Sequence, residues 1–453
     1  MGTGSRSQHQ PNQLTPAGQP AQNSDASEPD AGNQPDPAGE RVLVGAGTTQ
    51  SGQSGRRILP GDTYVDRLAH EQRPGEQLVS EQARARTTVT EQLTAEQARS
   101  LELQEQARLD QPEPEVSYLQ DFAAFQADYD AARARRANGE DLVPYLTSNA
   151  TAGLGDRYVG RGFGVELEFD FDTHAATDRV ALGRIAADLH EAGLTRQTGG
   201  AEQYHAAARR GYSDDPAGWS LERDASVAGE LVSPILYDEP ATWRNLQTAC
   251  AIIRQHGGRP TVRTGSHVHV SLHDYDHSIA NHNQLLAMIS GYQDTLYRLA
   301  SNPQRRHHRG MLFCWPNTNP GAGYRNLAEA REVNRGHSIG VNLGAVHGDQ
   351  RDHIEYRMFD GSLHPGTIQT QIKLALGLTH AAFRTTGTDH PIPAREPIGT
   401  HAGSNPDQRR LTGQAWHDTT HSYRSLIDTL YTRATDKAQA TALFANTRWP
   451  TRR

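Results

Sequence analysis

The chain has 453 residues, enough for two or three average domains, but only 35% are hydrophobic, against 24 prolines and 42 glycines. That deficit gathers in the first hundred or so residues, so one substantial core is expected. A net charge of −8 and a pI near 6.3 leave no basic footprint for a nucleic-acid backbone. Two cysteines, Cys250 and Cys314, are too few for a disulfide framework and lack zinc-ligand spacing, which fits a reducing cytoplasm. Nothing after Met1 reads as a charged leader followed by an apolar run, and no stretch approaches a membrane span. A soluble cytoplasmic protein without nucleic-acid or membrane partners is expected.

The first 78 residues, rich in Gln, Pro, Gly, Ser and Asp, cannot bury enough surface to offset chain entropy and read as a disordered arm, a candidate for recruiting a protein partner. Residues 79–150 read as a helical linker or docking segment. Helix formers with sparse apolar side chains fill 80–109, and Tyr118, Leu119, Phe122, Phe125 and Tyr129 recur at helical spacing between Glu115 and Arg136.

From Tyr158 the pattern changes, and 151–390 reads as the catalytic domain. Residues 158–172 alternate apolar and acidic residues like a half-buried strand. A helix follows over 178–194, with Asp178 as its N-cap and Gly193 near its stop. Strands are expected at 218–224, 229–237, 266–272, 338–343 and 353–359, with helices from about Glu239 to before Gly257, from 279 to 300, and from Thr367 to Thr385. Strands both separated by helices and paired in hairpins define an α+β class: an antiparallel or mixed sheet with helices on one face. Residues 391–453 read as a loop and two helices forming a C-terminal extension.

Side chains two apart on a strand share a face. In GVELEFD, Glu166 and Glu168 therefore stand side by side, opposite Val165, Leu167 and Phe169. Two carboxylates this close call for a cation, a proton or an Arg between them, although a solvated strand face is an equally open reading of this pair alone. The geometry returns with His267 and His269 in SHVHVSL, and with Glu355 and Arg357 in HIEYRMFD. Lys, Thr and Gln are the usual occupants of a solvated face, so three strands carrying metal and phosphate ligands favour a site. Glu230, entering an apolar strand after Gly229, is a further candidate ligand, while Asp224 could bind metal or make an Asx-turn, and Glu222 and Arg223 are open in the same way.

Oxygen ligands from Glu166, Glu168, Glu230 and Glu355 suit Mg²⁺, and a His among them makes Mn²⁺ tolerable. Arg357 and the loop residues Arg325, Arg331 and Arg335 could neutralise phosphates. The run RRHHRG at 305–310 follows a helix end and is expected to cap it rather than bind metal, and Cys250 and Cys314 are expected to be packed thiols.

Taken in order, GVELEFD, the Asp-x-Ser and GELVSP stretch, GSHVHVSL and HIEYRMFDGSL resemble the amidoligase family, a branch of the carboxylate–amine ligase superfamily with the glutamine synthetase and glutamate–cysteine ligase fold. The resemblance covers roughly half the chain. It implies an ATP-dependent ligase that activates a substrate carboxylate as an acyl phosphate and joins it to an amine, with ATP and Mg²⁺ or Mn²⁺ as cofactors. By the same resemblance Glu166, Glu168 and Glu230 are metal ligands, His267 and Glu355 hold a metal beside the γ-phosphate, His269 contacts nucleotide phosphate, and Arg357 stabilises charge in phosphoryl transfer. Arg335, His337 and Asn342 lie where the family has a basic residue and an Asn before the last site strand. The ammonia-binding loop and the glutamate-binding arginine pattern of glutamine synthetases are not recognisable here. Two other readings stay open: a phosphotransferase on the same scaffold, and a catalytically inactive phage- or mobile-element-borne binding protein.

Overall fold

The computed structural model describes residues 115–146, 161–172, 175–275, 278–305, 314–348, 352–389 and 411–450. All of these fall in the compact unit Leu59–Arg453 and none in the other, Met1–Ile58. The arm over 1–78, the helix over 80–109, residues 306–310 of the RRHHRG run and the loop over 391–410 lie outside the described residues.

Among the described residues six strands form one sheet: β1 (Phe163–Phe169), β2 (Ser220–Glu222), β3 (Gly229–Val232), β4 (Gly265–Ser271), β5 (Val341–Asn342) and β6 (His353–Asp360). Their spatial order is β2-β3-β1-β4-β6-β5, and every neighbouring pair is antiparallel. The expected α+β class is thus found, with the antiparallel option taken. Several strands are shorter than their sequence patterns. β3 stops before Ser233-Pro234, because proline cannot donate to a ladder. The expected strand over 338–343 reduces to Val341–Asn342, with Ile339 making only an isolated bridge to Trp315.

The apolar side of the sheet carries Phe163, Val165, Leu167 and Phe169 from β1, Val268 and Val270 from β4, and Ile354, Tyr356 and Met358 from β6, all buried. Helices cover this side. In α4 (Pro240–Gln255), Trp243 stacks on Phe163 with ring centroids 5.9 Å apart. In α8 (Pro365–Thr385), Thr379 Oγ1 lies 2.9 Å from Tyr356 Oη and the Thr379 carbonyl accepts from Tyr275. Leu182 of α2 (Ala175–Glu191) reaches Gly229, where a Cβ would come within 2.8 Å of it. Each fully buried side chain of this size contributes roughly 1.5–3 kcal/mol. α2 begins at Ala175, so Asp178 lies in its first turn, where its charge favours the helix dipole, and is not the expected N-cap. The expected helix over 279–300 is two, α5 (Ile279–Gly291) and α6 (Gln293–Ala300), meeting at Tyr292, whose φ of −101° and ψ of 18° leave the helical basin. Two short helices lie in connections: α3 (Ala206–Arg210) between β1 and β2, and α7 (Leu327–Val333) before β5.

A second helical layer unites chain ends about 300 residues apart. α1 (Phe122–Ala137), which Asp121 caps by accepting from the Ala124 N–H, packs on α11 (Ala434–Asn446), with α9 (Gly413–Thr419) and α10 (His421–Leu430) alongside. Three helices therefore stand where two were expected, because α9 and α10 abut at Thr420. Phe125 touches Tyr118, Trp416, Tyr423 and Phe444 with ring centroids 5.7–6.4 Å apart. Asp428 of α10 accepts from the Tyr118 and Leu119 amides and pairs with Lys437 at 2.6 Å. This layer is joined to α8 by the buried Lys373–Asp436 pair at 2.5 Å and by Gln439 donating to Gln369 at 2.6 Å. At Gly366 a Cβ would come within 2.1 Å of the Val143 carbonyl, so glycine is what lets the 142–146 strand of chain cross the start of α8.

Candidate active site

The opposite face of the sheet is polar on every strand. Registry places Glu222 of β2 beside Glu230 of β3, Glu230 beside Glu168, Glu166 beside His267, His269 beside Glu355, and Glu355 beside Asn342. Alternation on each strand puts Arg357 on the same face. The three polar pairs read from the sequence are therefore brought together, with Glu230 and Asn342 joining them. A bulge between Ser266 and Val268 lets the far end of β4 keep pairing with β6 while His269 stays opposite Glu355.

Glu166 is the centre of the cluster. Its Oε2 lies 2.9 Å from His267 Nδ1 and its Oε1 lies 3.1 Å from His269 Nε2. His267 Nδ1 is also 3.6 Å from Glu355 Oε1, and His267 Nε2 is 3.5 Å from Glu168 Oε1. Glu168 accepts the Gly265 amide at 2.6 Å. Glu355 is ion-paired with Arg357 and accepts from Asn342 Nδ2 at 2.9 Å. Arg357 also donates from Nε to the His337 carbonyl at 3.2 Å. Asn342 Oδ1 accepts from the amides of Gly336 and Gly344 at 3.0 and 2.8 Å, fixing the turns on both sides of β5.

Charge is distributed unevenly over this face. Burial would raise the Glu166 carboxyl, but His269 and His267 outweigh it and hold it well below the usual carboxylate range. Glu355 is lowered in the same way, burial being overcome by His269, His267 and Arg357. His269 is raised, because Glu166 and Glu355 outweigh its burial. Glu230 goes the other way: burial, then the charges of Glu166, Glu168, Asp224 and Glu222, push it well above the carboxylate range. The β2–β3–β1 side is crowded with acids and the β4–β6 side carries the cations.

Among the described residues two groups of side chains place ligand atoms within 4.8 Å of one another: Glu166, His269 and Glu355, and Glu166, Glu230 and His267. Carboxylate oxygens with one imidazole nitrogen form a donor set that suits a hard divalent cation, and the like-charge crowding that lifts Glu230 is what such a cation relieves. His269 thus joins a candidate ligand group, whereas Glu168 is turned toward the Gly265 amide.

The other sequence candidates have partners of their own. Arg335 is paired with Glu332 at 2.8 Å on the surface, Arg325 with Glu329 at 3.0 Å, and Arg331 donates to the Gly344 carbonyl. Asp224 makes the Asx-turn, accepting from the amide and hydroxyl of Ser226. Cys250 and Cys314 are buried thiols. Glu222, open in the sequence, lies on the polar face beside Glu230. Glu222 accepts from the amides of Ala206 and Ala207 at 3.1 and 2.7 Å, and the Ser-Leu-Glu alternation of β2 was the signal for its place on the polar face.

Residues 160–319 match the family model described as "Putative amidoligase enzyme". The matched residues contain the β1, β2–β3 and β4 motifs that carry the resemblance read from the sequence. The β6 strand that supplies Glu355 and Arg357 lies beyond the matched residues. No curated protein matches the chain. Similar solved structures include the GmaS/ADP complex, at 15% identity with a TM-score of 0.32 and 71% of each chain covered. The complex of the prokaryotic ubiquitin-like protein Pup with its ligase PafA gives 12% identity and a TM-score of 0.31, covering 63% of this chain and 62% of that one. A bifunctional glutathione synthetase from Pasteurella multocida gives 12% identity and a TM-score of 0.30, covering 62% of this chain and 52% of that one.

Proposed function

We propose that the protein is an ATP- and divalent-metal-dependent carboxylate–amine ligase that forms an amide or isopeptide bond through an acyl phosphate. The observation that carries this reading is the convergence of Glu166, Glu230, His267, His269, Glu355 and Arg357 on one face of one sheet, the first four of them within the residues that match the amidoligase model.

Glu166, Glu230, His267, His269 and Glu355 would hold Mg²⁺ or Mn²⁺, with Glu168 as a further carboxylate at the edge of the group. When bound, such a cation neutralises phosphate charge and orients the phosphates. Arg357, held by Glu355 and the His337 carbonyl, would spread charge on a migrating phosphoryl group. Asn342 fixes the Glu355 carboxylate from its other side. In the first step a substrate carboxylate oxygen bonds to the γ-phosphorus as the bond to the β-phosphate oxygen breaks, giving ADP. In the second an amine nitrogen bonds to the acyl carbon, inorganic phosphate leaves, and the nitrogen gives up a proton. Little covalent help is needed from the protein and much positioning, which suits a site built from charged strand residues.

The test is an ADP-release screen of amino acids, peptides and polyamines with Mg²⁺ or Mn²⁺, followed by mass spectrometry. A product lighter by one water than the sum of its parts is expected. ADP release with a phosphorylated product and no amide would instead favour a phosphotransferase.

A further inference from the structure

β5 is two residues long and lies at the edge of the sheet, yet it and the turns around it carry contacts that hold Glu355 and Arg357. Asn342 Nδ2 donates to Glu355, and the His337 carbonyl accepts from Arg357 Nε. The Gly340 carbonyl accepts the Arg357 and Met358 amides at 2.8 and 3.1 Å. A strand this short has too few ladder bonds to fix these contacts by itself.

Two buried asparagines supply what the ladder lacks. Asn317, 2% exposed, pairs with the Val341 backbone as a neighbouring strand would: its Oδ1 accepts the Val341 amide at 2.9 Å and its Nδ2 donates to the Val341 carbonyl at 2.6 Å. The same Nδ2 donates to Asn334 Oδ1 at 3.0 Å. Asn334, fully buried at the C-terminal end of α7, accepts the Thr318 amide on that oxygen, while its Nδ2 donates to Tyr324 Oη and the Ala330 carbonyl. Its backbone carbonyl accepts the Leu343 amide at 2.8 Å, so the chain is gripped on both sides of Asn342. The Tyr324 hydroxyl closes the ring by donating to the Thr318 carbonyl at 2.7 Å. Asn283 of α5 anchors it, accepting the Tyr324 amide at 2.8 Å and donating to the Tyr324 carbonyl at 2.9 Å.

Each Nδ2 of Asn317 and Asn334 has two acceptors, and each Oδ1 has a donor, so both side chains are satisfied. A buried polar network in this state fixes one geometry, and losing a member leaves its partners stranded. Apolar packing alone could cover a sheet edge. Directed amide contacts do more, because they set where Asn342 and the His337 and Gly340 carbonyls stand against β6.

We propose that Asn317 and Asn334 are positioning residues of the candidate active site, clamping β5 so that β6 presents Glu355 and Arg357 to a metal–phosphate group. This rests on the ligase reading for the roles of Glu355 and Arg357. It adds that their placement is set from the 317–334 loop as well as by the sheet.

Mn²⁺ binding to the full chain is followed by electron paramagnetic resonance, and amide hydrogen exchange over β6 by mass spectrometry, in the unmodified chain, Asn317→Ala, Tyr324→Phe and Gln439→Leu. Gln439 lies in the terminal helical layer, where it donates to Gln369 and the Pro144 carbonyl, so its loss destabilises the chain away from the clamp. Asn317→Ala should weaken Mn²⁺ about ten-fold and speed β6 exchange. Tyr324→Phe removes one hydroxyl and should weaken Mn²⁺ about three-fold. Gln439→Leu should keep Mn²⁺ affinity within about two-fold. Unchanged affinity in both clamp variants, or an equal loss in Gln439→Leu, would overturn the positioning role, and if Asn317→Ala does not fold, Tyr324→Phe decides on both readouts. Failure of the unmodified chain to bind Mn²⁺ would count instead against the ligase reading. The exchange rates then test the clamp, and β6 exchange no faster in Asn317→Ala or Tyr324→Phe than in Gln439→Leu would overturn it.

Discussion

Glu166 and His267 face each other directly across the β1–β4 ladder, with Oε2 and Nδ1 2.9 Å apart. Because Glu166 also reaches His269, it is common to both candidate ligand groups, and its loss cannot be absorbed by either. Glu166→Gln keeps the shape and removes the charge. Mn²⁺ binding followed by electron paramagnetic resonance should weaken at least about ten-fold, while the far-ultraviolet circular dichroism spectrum is unchanged. Mn²⁺ affinity equal to that of the unmodified chain would remove Glu166 from the site.

Asn342 supports Glu355 through one donor and two accepted amides. Asn342→Asp keeps the acceptor for Gly336 and Gly344 but replaces the donor to Glu355 with a like charge. Urea denaturation should show a loss of about 1–3 kcal/mol, and Glu355→Gln in the same chain should recover part of it.

The buried Lys373–Asp436 pair, with Arg433 Nε 3.8 Å from Asp436, joins α8 to the terminal helical layer. Removing one partner strands the other. Lys373→Met should cost about 3–5 kcal/mol in equilibrium unfolding, and the double variant Lys373→Met, Asp436→Leu should be clearly more stable than the single one. A single variant as stable as the unmodified chain would show the pair to be dispensable.

Asp238, buried and donated to by Trp243 Nε1 at 2.8 Å, is raised from 3.8 to about 7, burial outweighing Lys373 and Trp243. Its folded-state value lies above its unfolded one, so the folded chain holds the extra proton between them. Its contribution is fully present below pH 3.8, falls as pH rises toward about 7, and is level above that. Stability measured from pH 5 to 8 should therefore fall less steeply with pH in Asp238→Asn than in the unmodified chain, by up to about 1.4 kcal/mol per pH unit below pH 7. Parallel curves would show that Asp238 does not titrate there.

The polar face was legible because a strand's period of two is local. GVELEFD, SHVHVSL and HIEYRMFD each declare which side chains share a side, and the polar choices mark that side as a candidate site. What pairs with what is not local: the order β2-β3-β1-β4-β6-β5 is set by packing of the apolar side on α4 and α8, so the approach of Glu222 to Glu230, or of Asn342 to Glu355, could not be read from spacing. The same holds for Asp428, whose partners Tyr118 and Leu119 lie about 300 residues away. Arg335 is a different case. Its position near the family pattern suggests a phosphate contact, and its exposed pairing with Glu332, three residues back, is a local contact that the resemblance does not contain.

The central claim is that the sheet face activates a carboxylate as an acyl phosphate, and the most direct measurement follows oxygen. A carboxylate substrate found in the ADP-release screen is labelled with ¹⁸O and turned over with unlabelled ATP and its amine. The account predicts ADP together with inorganic phosphate carrying one ¹⁸O from the carboxylate. AMP and pyrophosphate as products, with the label in AMP, or unlabelled phosphate alongside an amide, would contradict it.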